Sequence, residues 1–158
     1  MTGAVNARFF RALAQREIDR SARYLHPLTV AYIDIDNFKA INDVFGHMMG
    51  DKVLAVVAHI MQQQVRKTDV VSRVGGDEFA ILLPEVGTDE AKSVISKIGC
   101  RLSEEMESKG WPVTFSIGVL TFIAVPPSAE DMLGMADRVM YTVKNSGKNS
   151  VRYDTHAG

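Results

Sequence analysis

The sequence has almost no cysteine. Its only thiol, Cys100, excludes an internal disulfide, and its place on the apolar side of a helical pattern suits a reducing compartment, the cytoplasm by default. A long apolar run is also lacking. No segment approaches the ~20 residues of a membrane span, and "MTGAVNARFFRALAQREIDR" carries charges where a signal peptide needs its apolar core, so no membrane contact by this stretch is expected. An excess of one charge is missing too. With 18 Lys and Arg against 19 Asp and Glu the formal net charge is -1, with the signs interspersed. That argues against a nucleic-acid partner and leaves room for a small anionic ligand. Repeats, low-complexity tracts and flexible linkers are absent apart from a short "AVPPSAED" turn, so residues 1–158 are expected to form one domain.

What is present is periodic. Asn6 is suited to cap a helix whose apolar positions Phe9, Phe10, Leu13, Ile18 and Tyr24 lie mostly on one side, ending near His26-Pro27. "LTVAYIDID", Leu28 to Asp36, begins apolar on both faces, as a strand in a sheet covered on both sides does. "VLAVVAHIMQQQV" repeats apolar residues at Leu54, Val57, Met61 and Val65, the spacing of an amphipathic helix. "VVSRV" and "FAILLP" read as short strands joined by Gly75 to Glu78, a hairpin length. Thr88 is suited to cap the next helix, with Asp89 and Glu90 in its first turn and a stripe of Val94, Ile98, Leu102 and Met106. "VTFSIGVLTF" is a further strand. Ser128 and Asp131 resemble a capping box for a helix through Met132, Met135, Val139 and Val143, which Gly147 can end, and "SVRYD" closes the chain as a strand.

This order predicts an α/β chain of the α+β sandwich type. Its core is a ferredoxin-like, nucleotidyl-cyclase-like βαββαβ unit, with a mainly antiparallel sheet of five strands flanked by helices. In such a unit the first strand lies antiparallel beside the third, so the end of "AYIDID" meets the start of "FAILL". The acids at the two ends then converge. Asp34 and Asp36 share one face of their strand, with the Ile35 carbonyl between them, while Asp77 and Glu78 arrive from the hairpin. Like charges ~4 Å apart repel by roughly 4 kcal/mol at an effective dielectric near 20, so the cluster needs a cation or a proton. Oxygen ligands favour magnesium, manganese or calcium over zinc, and magnesium shares its shell with phosphates, which suits a nucleotide enzyme.

Other stretches leave alternatives open. Gly75 and Gly76 either allow positive φ in a tight turn or let a flat base or phosphate approach the backbone. "NFKAINDVFGHMMGD", Asn37 to Asp51, reads as an irregular polar segment following the first acids. Backbone N–H groups opening a helical turn at Asn37, Phe38 and Lys39 are suited to phosphate oxygens. Asn42 and Asp51 are either readers of a base edge or helix caps. In "RKTD", Arg66 is suited to the negative end of its helix.

Together these segments resemble the GGDEF domains, the diguanylate cyclases that condense two GTP into cyclic di-GMP with release of pyrophosphate. "TGAVNARFF" is similar to the family's opening "LTGLxNRxxF", "DIDNFKAINDVFGHMMGD" to "DxDxFKxxND…GHxxGD", and "RVGGDEF" carries the signature. "FSIGV" and "YTVKNSGKN" follow in order. The resemblance implies Asp34, the Ile35 carbonyl, Asp77 and Glu78 as ligands of Mg2+, with Mn2+ as a substitute. Asp77 would also be base for the attacking 3'-hydroxyl, and Asp36 structural. It implies Asn42 and Asp51 as guanine readers, His47 and Gly76 in the nucleotide site, and Lys144 and Lys148 on the terminal phosphates. Lys148 stands where the family usually has Arg, which exchanges a two-pronged phosphate contact for a point charge. It further implies Arg66 and Asp69 as an inhibitory product site. A homodimer would be the active unit, inside a longer signalling protein with fused sensory and phosphodiesterase domains. The alternative is a catalytically silent module that binds GTP or cyclic di-GMP and regulates a neighbouring phosphodiesterase domain.

Overall fold

The structure is a computed structural model that describes residues 4–124, 126 and 128–157. Thr2 and Gly3 of the opening motif, and Val125 and Pro127 of the "AVPPSAED" turn, lie outside the described residues. In chain order the elements are α1 (Ala7–Tyr24), β1 (Leu28–Asp36), α2 (Phe38–Phe45), α3 (His47–Gln64), β2 (Val70–Arg73), β3 (Glu78–Pro84), α4 (Thr88–Lys109), β4 (Thr114–Phe122), α5 (Ala129–Asn145) and β5 (Ser150–His156). The sheet runs β2-β3-β1-β4-β5. Its first three pairings are antiparallel, and only β4 and β5 run parallel, joined through α5. The expected α+β architecture is what forms.

Alternation along the central strands divides the core in two. Ala31, Ile33 and Ile35 of β1 face α2, α3 and α4, with Phe79, Ile81, Phe115 and Ile117 beside them. Leu28 and Val30 face the other way, onto Phe10 and Ile18 of α1 and Met132 and Ala136 of α5. Asp34 and Asp36, in the same phase as Val30, therefore stand on the α5 side of the sheet.

Several helix ends behave as expected. The Asn6 side chain accepts from the Phe9 N–H at 2.8 Å, and Ser128 accepts from the Asp131 N–H at 3.1 Å. Other expectations are corrected. The buried stripe of α1 is Phe10, Ala14, Ile18 and Ser21, while Phe9 and Tyr24 are exposed. Gly87 rather than Thr88 occupies the cap of α4, with no side-chain bond. Cys100 is exposed, because the buried side of α4 runs through Ala91, Ile95, Ile98 and Leu102. The segment 37–51 is not irregular. It forms α2 and the first turn of α3, since Phe38 and Ile41 reach the core three residues apart and Gly46, at φ 88°, turns the chain between the helices.

Where α5 crosses β4 the two backbones touch. A Cβ on Gly118 would lie 2.2 Å from the Met140 nitrogen and 2.7 Å from its Cα, main-chain atoms that cannot rotate away. Gly118→Ala is therefore expected to cost about 3 kcal/mol, at the upper end of overpacking effects. Urea unfolding measures it, and a loss below about 0.5 kcal/mol would show that α5 can lift off freely.

Candidate active site

The register of β1 against β3 pairs Asp34 directly with Glu78, and the Ile35 N–H donates to the Asp77 carbonyl at 3.0 Å. The two acidic segments thus meet as the strand order requires. The hairpin that carries them is braced by Arg73. Its guanidinium donates to the Gly75 carbonyl at 3.1 Å and to the Gly76 carbonyl at 2.7 Å, so the loop is held from within. Arg73 escaped the sequence reading because an Arg ending a short strand carries no signal of its own.

Neither hairpin glycine has positive φ, which removes the tight-turn reading. A Cβ on Gly75 would stand 2.6 Å from Glu78 Oε1, so this glycine makes room for the carboxylate. Gly76 opens onto free space and lines the adjoining cavity. The two glycines have different tasks, which spacing alone does not reveal.

The two aspartates of β1 are treated very differently. Asp36 is fully buried and accepts from the Ser116 hydroxyl at 2.7 Å, the Thr114 hydroxyl at 2.8 Å and the Asn149 N–H at 3.1 Å. Its structural role follows from that saturation. Asp34 is 5% exposed, with Oδ2 on the Lys144 ammonium at 2.7 Å and Oδ1 buried without a partner. Burial holds its carboxyl above the usual range, outweighing the Lys144 hydrogen bond, and Asp77 adds repulsion. Burial alone would lower the Lys144 ammonium, but Asp34 more than restores it, leaving it above its ordinary value. Glu78 is likewise raised, by burial and then by Asp34 and Asp137, although it accepts from the Tyr32 hydroxyl at 3.3 Å. Burial and Glu78 push the Tyr32 phenol up, so it remains a donor.

A buried carboxylate oxygen without a donor, facing further acids, fits a hard cation with oxygen ligands. Among the described residues no three acidic, imidazole or thiol side chains are gathered closely enough to hold a metal by themselves. A cation here would draw on Asp34 and a main-chain carbonyl such as that of Ile35, completed by a hairpin carboxylate.

Beside the acids lies an open cavity of about 340 Å³. Phe38, Lys39 and Asn42 of α2, and His47, Asp51 and Leu54 of α3, form one wall, while Arg73, Gly76 and Asp77 form the other. Asn37, in the left-handed region at φ 66°, opens α2 without a side-chain cap, so the first N–H groups of that helix have no intrahelical acceptor. Asn37 itself does not line the cavity, and two further expected site residues stand elsewhere. Lys144 is on Asp34 instead of at the cavity, and Lys148 is exposed at φ 64° beyond α5, where its N–H donates to the Val143 carbonyl.

Arg66 and Asp69 are also apart from the cavity, and they close on each other. Asp69, with a side chain only 2% exposed, accepts from the Arg66 main-chain N–H and from Nη2, both at 2.8 Å, while Nη2 also donates to the Pro84 carbonyl. These bonds employ Nε and Nη2, which leaves the two N–H groups of Nη1.

Glu78 supplies a test of the cluster. Its folded-state pKa lies above the unfolded value, so protonation favours the folded chain. That contribution is present at low pH and lost as pH rises through the folded pKa. In chelator at pH 7.5, Glu78→Gln is expected to raise Tm by about 2 °C after allowance for solvent screening. The gain should fade as pH is lowered through the folded pKa, below which wild type is neutral at the same position. Added Mg2+ or Mn2+ should stabilise wild type more than the variant in the same melts. An equal cation shift in both would remove Glu78 from the cation site.

A family model described as diguanylate cyclase, GGDEF domain, matches residues 1–150. The curated relative DosC, a diguanylate cyclase of Escherichia coli K12, is 35% identical over 155 residues, covering 96% of this chain and 34% of DosC. DgcP of Pseudomonas aeruginosa, another diguanylate cyclase, is 32% identical over 152 residues, covering 94% of this chain and 22% of DgcP. The chain thus spans about a third or less of these relatives, at 34% and 22%. Among solved structures, the active GGEEF domain of a diguanylate cyclase from Vibrio cholerae matches with a TM-score of 0.87 at 30% identity, covering 96% of this chain and 98% of that one. The GGDEF domain of DgcB from Caulobacter crescentus, in complex with c-di-GMP, matches with a TM-score of 0.86 at 26% identity, covering 96% and 92%.

Proposed function

The chain belongs to the GGDEF domain family of diguanylate cyclases, and on that premise we propose that it condenses two GTP into cyclic di-GMP with release of pyrophosphate. The observation that carries this reading is the partnerless, buried Asp34 Oδ1 beside a cavity lined by both hairpin and helix residues. Asp34, the Ile35 carbonyl, Asp77 and Glu78 would hold magnesium, or manganese in its place. The bound ion would supply neutralisation of the phosphates and polarisation of the α-phosphorus.

The chain's own residues do the rest. The N–H groups opening α2 at Asn37, Phe38 and Lys39, with the Lys39 ammonium, hold phosphate oxygens in the cavity. Gly76, without a side chain, lets the nucleotide lie against the hairpin, and His47 borders it from α3. Asp51 accepts from the N1–H and 2-amino groups of guanine, which adenine lacks, and Asn42 completes the reading of the base. Asp77 takes the proton of the attacking 3'-hydroxyl. Lys144, released from Asp34, and Lys148 meet the terminal phosphates as point charges.

Each chain contributes one nucleotide, so the active unit in this reading is a homodimer with the cavities facing. A fused sensory domain would set that pairing, in a cytoplasmic part of a larger protein that would also carry a phosphodiesterase domain. Incubating the protein with GTP and magnesium and resolving the products chromatographically tests the reading. Bound GTP that is never converted would overturn it in favour of a silent regulatory module. Asp77→Asn is expected to lower cyclic di-GMP formation at least about a hundredfold, the scale of a lost general base. Its Tm should stay level or rise, because the Ile35 N–H still finds the residue 77 carbonyl and the cluster loses a charge. Normal turnover by this variant in magnesium would remove Asp77 from the chemistry.

Product inhibition through Arg66 belongs to the same proposal. The side chain is 51% exposed and keeps its Nη1 donors, while β2 leads from Asp69 straight to the hairpin. Product bound there would act without touching GTP, so inhibition would be non-competitive. Arg66→Ala is expected to weaken cyclic di-GMP binding about ten- to a hundredfold while the initial rate is kept. Progress curves with and without added product decide. Identical slowing of wild type and variant would reduce the motif to a closed helix end.

A further inference from the structure

Gly50 sits buried in the first turns of α3, one residue before Asp51. Its φ is not positive, so nothing in the backbone demands glycine, and glycine inside a helix carries a cost in conformational entropy. The demand comes from its surroundings. A Cβ at this position would lie 1.9 Å from Asn42 Oδ1, 3.0 Å from Asn42 Cγ and 3.2 Å from Phe38 Cζ. The amide of Asn42 therefore occupies the volume where any other residue would put its side chain, with the Phe38 ring as the wall of the slot.

We propose that Gly50 is a positioning residue for base recognition: its missing side chain seats the Asn42 amide at the cavity, next to Asp51, so that the two together select guanine over adenine. The inference rests on the reading of this cavity as a guanine nucleotide site. Asn42 and Asp51 belong to different helices and both line the cavity. Two features bring them together. The Gly46 turn, whose N–H donates to the Asn42 carbonyl at 2.9 Å, folds α2 back onto α3, and the Gly50 slot then fixes where the Asn42 side chain rests. An Ala at position 50 has to expel the amide, because 1.9 Å is far inside any tolerable approach. The donor and acceptor pattern facing the base is lost even though Asn42 and Asp51 are both present.

A double-mutant cycle over Gly50→Ala and Asn42→Ala tests this, with binding of GTP and ATP to the intact protein read by calorimetry and stability read by thermal melts. Gly50→Ala is expected to weaken GTP binding about tenfold with ATP little changed, lowering the GTP to ATP affinity ratio to that of Asn42→Ala. In the Asn42→Ala background, Gly50→Ala should leave that ratio within about twofold and recover most of the Tm lost by the single Gly50 variant. A Gly50→Ala variant that keeps the wild-type ratio overturns the inference, as does an effect that multiplies independently onto Asn42→Ala. If the single variant is too unstable to bind, recovery of folding on adding Asn42→Ala upholds the slot and failure to recover overturns it. Wild type that binds GTP and ATP equally would instead refute the guanine site itself, and with it this role for Gly50.

Discussion

A carboxylate taken wholly out of water must be met by donors, and the site depends on how completely Asp36 is met. Two hydroxyls from β4 and the N–H of Asn149 converge on it, so one side chain fastens β1 to β4 and holds the turn leaving α5. Two residues away on the same face, Asp34 has one oxygen on a lysine and the other on nothing. The contrast is possible because the strand is rigid where Asp36 anchors it. An exposed or mobile Asp34 would relax its need by turning toward water. Held at the sheet end, under α5, it keeps one oxygen buried and without a hydrogen-bond donor.

Lys144 moderates this cost. Its ammonium lies on Asp34 at 2.7 Å, so the cluster is partly neutralised while no divalent ion is bound. A lysine can fill this part because its charge is compact and its stem flexible. The close approach of α5 to β4, which the missing side chain of Gly118 permits, brings the helix that carries Lys144 down onto the sheet end where Asp34 stands.

The features legible in the sequence are those that follow from period and order. Alternation placed Asp34 and Asp36 on one face, and the strand, helix, strand, strand order brought Glu78 opposite Asp34. The segment 37–51 misled because its polar composition masks two apolar residues at helical spacing, Phe38 and Ile41, which outweigh the rest by reaching the core. Gly75, Gly76 and Gly50 could not be told apart from spacing, since what each glycine admits, a carboxylate, open space or an amide, is a matter of neighbours distant in sequence or in the next turn. The pairing of Lys144 with Asp34 is a contact across 110 residues between an interior helix face and a strand end, and no local pattern announces it.

At the other edge of the sheet, Val5 donates its N–H to the Val71 carbonyl and receives the Ser72 hydroxyl on its own carbonyl, at 3.0 and 2.9 Å. The amino-terminal segment is thereby coupled in series with β2, and β2 runs into the Arg73-braced hairpin that carries Asp77 and Glu78. Val5 also packs on the α1 half of the core and Ala4 on the other, so this segment is held to β2 by both hydrogen bonds and burial. Mechanically, Val5 is a rivet on the strand that leads into the hairpin.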